Sequence, residues 1–309
     1  MQDSPNSFDT PLVGLPKGEW LERLAAIADE NGHFQPLGKR HFATFVEEKP
    51  TLLVTFETVQ GIHALSDTAQ PMGWDLVKAL GWSHLGIISD GDTWFRERRI
   101  YGYFDRLIDD GFFEDFDQVI FYGAGPCGYA AAAYSVASPG ATVIAVQPQA
   151  TLDPSVAGWD QRFRTNRRTS FTDRYGYAPD MIDAADHAYV LYDPEIDLDA
   201  MHAALFTRPN ITKLEMRHMG DALQTDLIEM QILFRLIAKA GTGKLDKNSF
   251  ARLFRARRDY PPYLRNVMNA LDSRKRFGLT KMLCQNVIRR LENAPRFNRR
   301  LEALDKSTL

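Results

Sequence analysis

Apolar and polar residues alternate along this chain in short blocks whose period keeps changing. Trp20, Leu21, Leu24 and Ile27 recur at helical spacing. Thr51-Leu52-Leu53-Val54-Thr55-Phe56 then runs apolar without a break, which predicts a strand covered on both faces. A helix is expected after Pro71 on Trp74, Val77 and Leu80, and a strand at 85–89. Phe95, Ile100, Tyr103, Phe104 and Leu107 predict a long amphipathic helix. Further strands are expected at 119–122, 141–146 and 187–192, with a weaker one at 211–216. Strands alternating with helices imply an α/β fold, with a mostly parallel, doubly wound sheet.

The rhythm breaks twice. Residues 151–183 are basic and aromatic with no clear period, as in Gly158-Trp159-Asp160-Gln161-Arg162-Phe163-Arg164. Such an insertion at a strand's carboxyl end could be a lid over a ligand site or a solvated surface excursion. The C-terminal part is helical. Leu223, Leu227, Met230, Phe234 and Ile237 make one stripe, ended by Ala240-Gly241-Thr242-Gly243. Leu264, Val267, Met268 and Leu271 make a second, and Leu279, Leu283, Val287 and Leu291 a third that stops near Pro295. Phe277-Gly278 suits a tight turn between the last two, giving a helical hairpin. The division expected is a lead-in with one helix over 1–45, an α/β domain over 46–240, and a helical extension over 241–309.

Composition adds little until charge is resolved along the chain. Hydrophobic content of 44% and charged content of 25% are those of a globular protein. The polar start MQDSPNSFDTPLVG has no signal-peptide pattern, and no apolar run is long enough to span a membrane. Cys127 and Cys284 are too isolated for a disulfide framework or zinc site, so a cytoplasmic location is expected. The net charge of −3 hides an asymmetry: from Gly241 onward there are 17 Lys and Arg against 6 Asp and Glu. A basic tail of this kind could dock on the acidic body or on a polyanion.

The chemistry concentrates at Val119-Ile120-Phe121-Tyr122-Gly123-Ala124-Gly125-Pro126-Cys127-Gly128-Tyr129-Ala130-Ala131. A strand, a tight turn and a small-residue helix are the layout of the nucleophile elbow, G-x-S-x-G. Gly123 fits the first glycine, Gly125 falls on the nucleophile, and Cys127 falls on the last glycine. The segment resembles the elbow of an α/β-hydrolase branch associated with bacterial surface-polysaccharide and accessory-secretion systems, whose elbow commonly reads Y-G-S-S-M-G-G-Y-A-A. Tyr122, Gly123, Gly128, Tyr129, Ala130 and Ala131 match, and Pro148-Gln149 matches a Pro-Gln step after the next strand. The resemblance implies an α/β-hydrolase fold over roughly residues 50–235, with a degenerate triad. Gly125 stands at the nucleophile, Asp193 at the acid, and Gly220-Asp221 where a Gly-His base step is usual.

A protein that binds a ligand or partner without serine-hydrolase chemistry is therefore expected, in a surface-glycan or secretion pathway by that resemblance. Two alternatives stay open. Cys127, in the first turn of a helix, could act with His218 and Asp193 as a cysteine hydrolase or acyltransferase, or Asp193 and Asp221 could do acid-base work without a nucleophile. Alternatively, the basic hairpin could make the chain an adaptor for a polyanion. The candidate pocket takes in Phe56, Glu57 and His63 after the first sheet strand, Gly123, Ala124, Gly125 and Pro126 at the elbow, and Gln149 and His202 nearby. His202 could equally be a capping or packing residue. Gly125 could bring a ligand against bare amides at a helix N-terminus.

Gly123-x-Gly125-x-x-Gly128 also spells G-x-G-x-x-G, but the next strand ends Val146-Gln147-Pro148-Gln149, without the acid that would hold a ribose. Asp90-Gly91-Asp92 lacks the remaining ligands of a calcium loop. No metal or cofactor is expected. The expected partners are a small-molecule or glycan-type ligand, or a protein on the basic helices, and nucleic acid is not expected.

Overall fold

The computed structural model describes residues 8, 10–48, 50–166 and 168–306. Arg167, within the basic insertion, and the first seven residues lie outside that range. Eight strands form one sheet among the described residues: β1 (Gly32–Pro36), β2 (His41–Val46), β3 (Thr51–Thr58), β4 (Ser83–Ser89), β5 (Gln118–Ala124), β6 (Thr142–Val146), β7 (His187–Tyr192) and β8 (Ile211–Glu215). Their order is β1-β2-β4-β3-β5-β6-β7-β8. β2 runs antiparallel to β1 and β4, and every other neighbouring pair is parallel. This is the mostly parallel sheet of the α/β-hydrolase fold. Parallel strands joined by crossovers need helices on both faces, so β3 to β7 read as near-continuous apolar runs.

The helices are α1 (Lys17–Asn31), α2 (Val59–Leu65), α3 (Gly73–Leu80), α4 (Arg98–Asp109), α5 (Pro126–Tyr134), α6 (Pro154–Ala157), α7 (Ala178–Met181) and α8 (Asp197–Leu205). The chain continues through α9 (Leu223–Glu229), α10 (Leu233–Gly241), α11 (Lys247–Leu253), α12 (Pro261–Ser273), α13 (Phe277–Arg290) and α14 (Pro295–Lys306). Side chains alternate across the strands, so each strand feeds two cores. Phe121 of β5 joins Val54, Phe56, Val143 and Val190 beneath the alanines of α5. Ile120 and Tyr122 point the other way, to Leu53, Ile144 and the apolar residues of α9, α10 and α11. A third core places Trp20 and Leu24 of α1 against Phe42, Val59, Trp74 and Ile88.

Several boundaries differ from the sequence expectation. The lead-in over 1–45 ends in β1 and most of β2, which belong to the sheet. Phe95 precedes α4 rather than lying in it, and both Trp94 and Phe95 take positive φ there. The stripe from Leu223 to Ile237 is two helices, broken where Gln231 takes φ 57°. Gly278 lies inside α13, and the turn before it is made by Lys275 at φ 55°. The extension over 241–309 also divides. Phe250, Leu253 and Phe254 pack into the main core, whereas Leu264, Met268, Cys284, Val287 and Phe297 form a small core of their own. Ion pairs within the tail include Arg290–Asp259, Arg300–Asp272 and Lys281–Asp305, and Arg274 reaches Glu195 of the body.

The insertion over 151–183 is pinned by aromatic contacts. Phe163 meets Trp94, Phe171 meets Tyr129, and Tyr175 stacks on Tyr134. The Arg96 guanidinium sits between the Tyr101 and Phe171 rings and bonds to Asp173 and to the carbonyls of Ser170 and Arg174. A buried charge needs such saturation to be tolerated.

Candidate functional site

Because β3 to β8 are parallel, their carboxyl ends share one edge of the sheet, the usual ligand edge of an open α/β sheet. The elbow sits there. Gly125 adopts φ 57° and ψ −125°, a conformation nearly reserved for glycine. Its N–H donates to the Val146 carbonyl at 2.8 Å, and its own carbonyl accepts from Tyr129 at 3.0 Å. Gly123 allows α5 to lie against β5, since a Cβ there would stand 2.1 Å from the Cys127 carbonyl oxygen. A Cβ on Gly125 would meet nothing within 4 Å. The strand, tight turn and helix expected from the sequence are present, with open space where a side chain on Gly125 would project.

The residues expected at the other catalytic positions have structural partners. In this fold the N–H of the residue after the nucleophile helps hold the oxyanion. That residue is Pro126, which has no N–H. The expected row of bare amides at this helix N-terminus therefore lacks its first member. Asp193 is buried at the end of β7, at the acid position, but its Oδ2 accepts the Gly220 N–H at 2.8 Å and its Oδ1 the Glu195 N–H at 2.9 Å. Asp193 thereby braces the loop at Gly220. Asp221 is exposed, and its carbonyl accepts from Gln147. His218, at φ 66°, places Nδ1 2.5 Å from Glu195.

Cys127 lies elsewhere, against a cavity of about 480 Å³ beside the elbow. Burial pushes its thiol far up, and the carboxylates of Glu57 and Asp92 add to the effect. A thiol so held stays protonated and is a poor nucleophile. The cavity wall includes Phe56, Glu57, Ala124, Pro126 and Cys127 from the expected site, but not Gly123, Gly125, His218, Asp193, Asp221, His63, Gln149 or His202. His63 is exposed on α2 and packs its ring on Trp20. Gln149 is buried and donates to the Gln147 carbonyl. His202 is fully buried: its Nδ1 accepts the Ala150 N–H, so its Nε2 carries the proton and faces Asp160 at 3.0 Å. Burial lowers its pKa despite that carboxylate. Arg162 bridges Asp160 and Asp199 beside it. These contacts clamp the insertion to α8, and none of the insertion's described residues lines the cavity.

Glu57 lines the same cavity. It sits at the carboxyl end of β3, where Thr55 Oγ1 donates to its Oε1 at 2.7 Å and the Met72 N–H to its Oε2 at 3.2 Å. Burial outweighs these bonds, and with a small push from Asp75 the carboxyl rises to about 7 from an ordinary 4.5. Behind Thr55 stands His84, 2.8 Å away, fully buried and lowered by that burial to about 3. It is therefore neutral at ordinary pH, and donation from His84 through Thr55 onto Glu57 orients the carboxylate. Gly73 makes room for the His84 ring, which a Cβ there would overlap. The far wall comes from the 58–72 segment and from α9 and α10, through Gln70, Gln224, Ile228 and Phe234. Gln70 is buried and donates to the carbonyls of Phe8 and Thr10, tying the N-terminal segment to this wall. Only the sheet order brings these distant segments together.

No family model matches the chain, and no curated protein matches it in sequence. Similar solved structures include the capsule O-acetyltransferase of Neisseria meningitidis serogroup A, at 13% identity over 62% of this chain and 91% of that one, with a TM-score of 0.36. They include Est1E from Butyrivibrio proteoclasticus, at 13% identity over 63% and 93%, TM-score 0.40. They also include the Gap123 glycosylation-associated protein complex from Streptococcus agalactiae, at 15% identity over 67% and 46%, TM-score 0.43. The strand order and the helices on both faces of the sheet are those of the α/β-hydrolase fold. Among the described residues no helix is long and apolar enough to cross a membrane.

Proposed function

We propose that this protein is a catalytically degenerate α/β-hydrolase-fold protein that binds a small ligand in the cavity beside its elbow. One observation carries the reading: the elbow keeps its strained backbone at Gly125, while the nucleophile side chain, the following amide and the base are all replaced. Strain of this kind costs about 1–3 kcal/mol and persists where the surroundings hold it in place. A cavity of about 480 Å³ with apolar walls and a few polar groups has the size and make-up of a small-molecule site. Acyl transfer needs a hydroxyl or thiolate, a base and an oxyanion site together, and the arrangement of Cys127, His218 and Asp193 supports none of the three. The surface-glycan or secretion setting belongs to this proposal as what the elbow resemblance implies.

The test is direct. A fluorophosphonate probe and a thiol-directed acyl probe are expected to leave the protein unlabelled, and a neutral p-nitrophenyl ester is expected to turn over no faster than in buffer. Gly125→Ser supplies a hydroxyl in open space, but it is expected to stay inert, because neither base nor elbow amide is restored. Labelling or turnover by the wild type that disappears in Cys127→Ala would overturn the proposal.

A further inference from the structure

Sorting the cavity wall by charge narrows the ligand. Phe56, Ile62, Leu65, Met72, Ile228 and Phe234 give it an apolar body. Glu57, Asp67, Asp75 and Asp92 give it four carboxylates, and no lysine, arginine or histidine is among the described lining residues. Lys78 pairs with Asp75 at 3.2 Å from outside the wall, and Asp92 is shared with a neighbouring groove that contains Arg40 and Arg96. Glu57 and the exposed Asp67 have no such cation beside them among the described ion pairs. Among the described residues no group of acids is close enough to hold a metal ion, so the wall is acidic without being a metal cage.

From this arrangement we infer that the cavity takes an organic cation, a protonated amine on an apolar body, with its nitrogen against Glu57. The inference rests on the binding reading above and adds the ligand's chemical class. The carboxylate is held in place by Thr55 and the Met72 amide, so a cation meets a preorganised acceptor. Such an ion pair forms in a partly desolvated site, where it counts for more than at the surface. The aromatic rings of Phe56 and Phe234 in the same wall also favour a cation. An anionic acyl compound would place like charges together.

The groups facing Glu57 are Thr55 of its own strand, Asp75 of α3, Tyr122 of β5 and Cys127 of α5. Tyr122 and Cys127 are both pushed up by burial and stay neutral, and Lys78 offsets Asp75. Glu57 is therefore the group that changes charge near neutrality. A cation is bound best once it has ionised.

Three probes of matched shape make the test: 4-phenylbutylamine, 4-phenylbutanol and 4-phenylbutyrate, titrated by calorimetry against the full chain. The amine is expected to bind at least about tenfold more tightly than the alcohol, and the acid more weakly than either. Amine affinity should rise between about pH 6 and about pH 8 while alcohol affinity stays flat. Glu57→Gln, close in shape, should remove the amine's advantage and leave the alcohol unchanged, and Asp75→Asn should weaken the amine less. The inference is overturned if the acid binds as well as the amine, if none of the three binds, or if Glu57→Gln leaves the preference intact. Ester turnover with the amine preference preserved would instead remove the non-hydrolytic reading and keep the charge selectivity.

Discussion

Gly123→Ala is expected to unfold the protein, or to lower its stability by more than about 4 kcal/mol, in urea denaturation. The added Cβ would stand 2.1 Å from the Cys127 carbonyl oxygen, 2.4 Å from its carbon and 2.8 Å from the Gly128 nitrogen. All three are backbone atoms of α5, so no rotamer change relieves the overlap. Relief would require moving α5, whose residues from Cys127 to Tyr134 are buried. Shifting it also disturbs the Tyr134 hydroxyl bond to the Phe95 carbonyl and that of Tyr129 to Tyr175. Gly125→Ala, two residues on, is the control. Its Cβ meets open space, so it carries only the cost of φ 57° and ψ −125°, about 1–3 kcal/mol. Equal losses for the two variants would refute the view that Gly123 serves close packing while Gly125 serves backbone shape.

That contrast explains what could be read from sequence. The turn from β5 into α5 was legible because its demands are local: a buried strand, glycines where backbone approaches backbone, then small residues along α5. The parallel strands were legible because burial on both faces leaves continuous apolar runs. β1 and β2 were not, because their burial depends on distant partners. His41 of β2 is buried with Thr93 2.7 Å and Glu97 3.4 Å from its ring, both far along the chain, and β1 is a half-buried edge strand. The break between α9 and α10 was hidden because an apolar stripe can continue across one left-handed residue. Of the residues nominated from sequence, Phe56, Glu57, Ala124, Pro126 and Cys127 lie along one cavity wall. The sequence could not place Gln70, Gln224 or Phe234, since they converge only through crossovers of the sheet. His63 and His202 looked available because position alone nominated them; one ring packs on Trp20 and the other is saturated by Ala150 and Asp160.

Glu57→Gln is expected to gain up to about 3 kcal/mol of stability on wild type between about pH 4.5 and pH 8, with the difference constant below about pH 4.5. The carboxyl lies near 7 in the fold and near its ordinary 4.5 when unfolded. Between those values the folded state holds the proton that the unfolded state has released, so wild-type stability falls as pH rises through this window. Above about 7 both states are ionised and the loss is constant. Glutamine has no proton to exchange there; its single carbonyl oxygen can accept from Thr55 or from the Met72 N–H but not both, a loss that is the same at every pH. Partial access of Glu57 to the cavity makes the figure an upper bound. His84 acts in the opposite sense: lowered to about 3, it stays neutral when folded, so wild-type stability is lost as pH falls below about 6.5. A single wild-type curve therefore mixes two opposed titrations. The difference between wild-type and Glu57→Gln curves, from denaturant melts across pH, isolates the first. A flat difference would mean that Glu57 is hydrated and ordinary, whereas a step ending near pH 7 means that the chain keeps a costly charge beside its elbow, a cost that packing alone does not require and that a bound cation would offset.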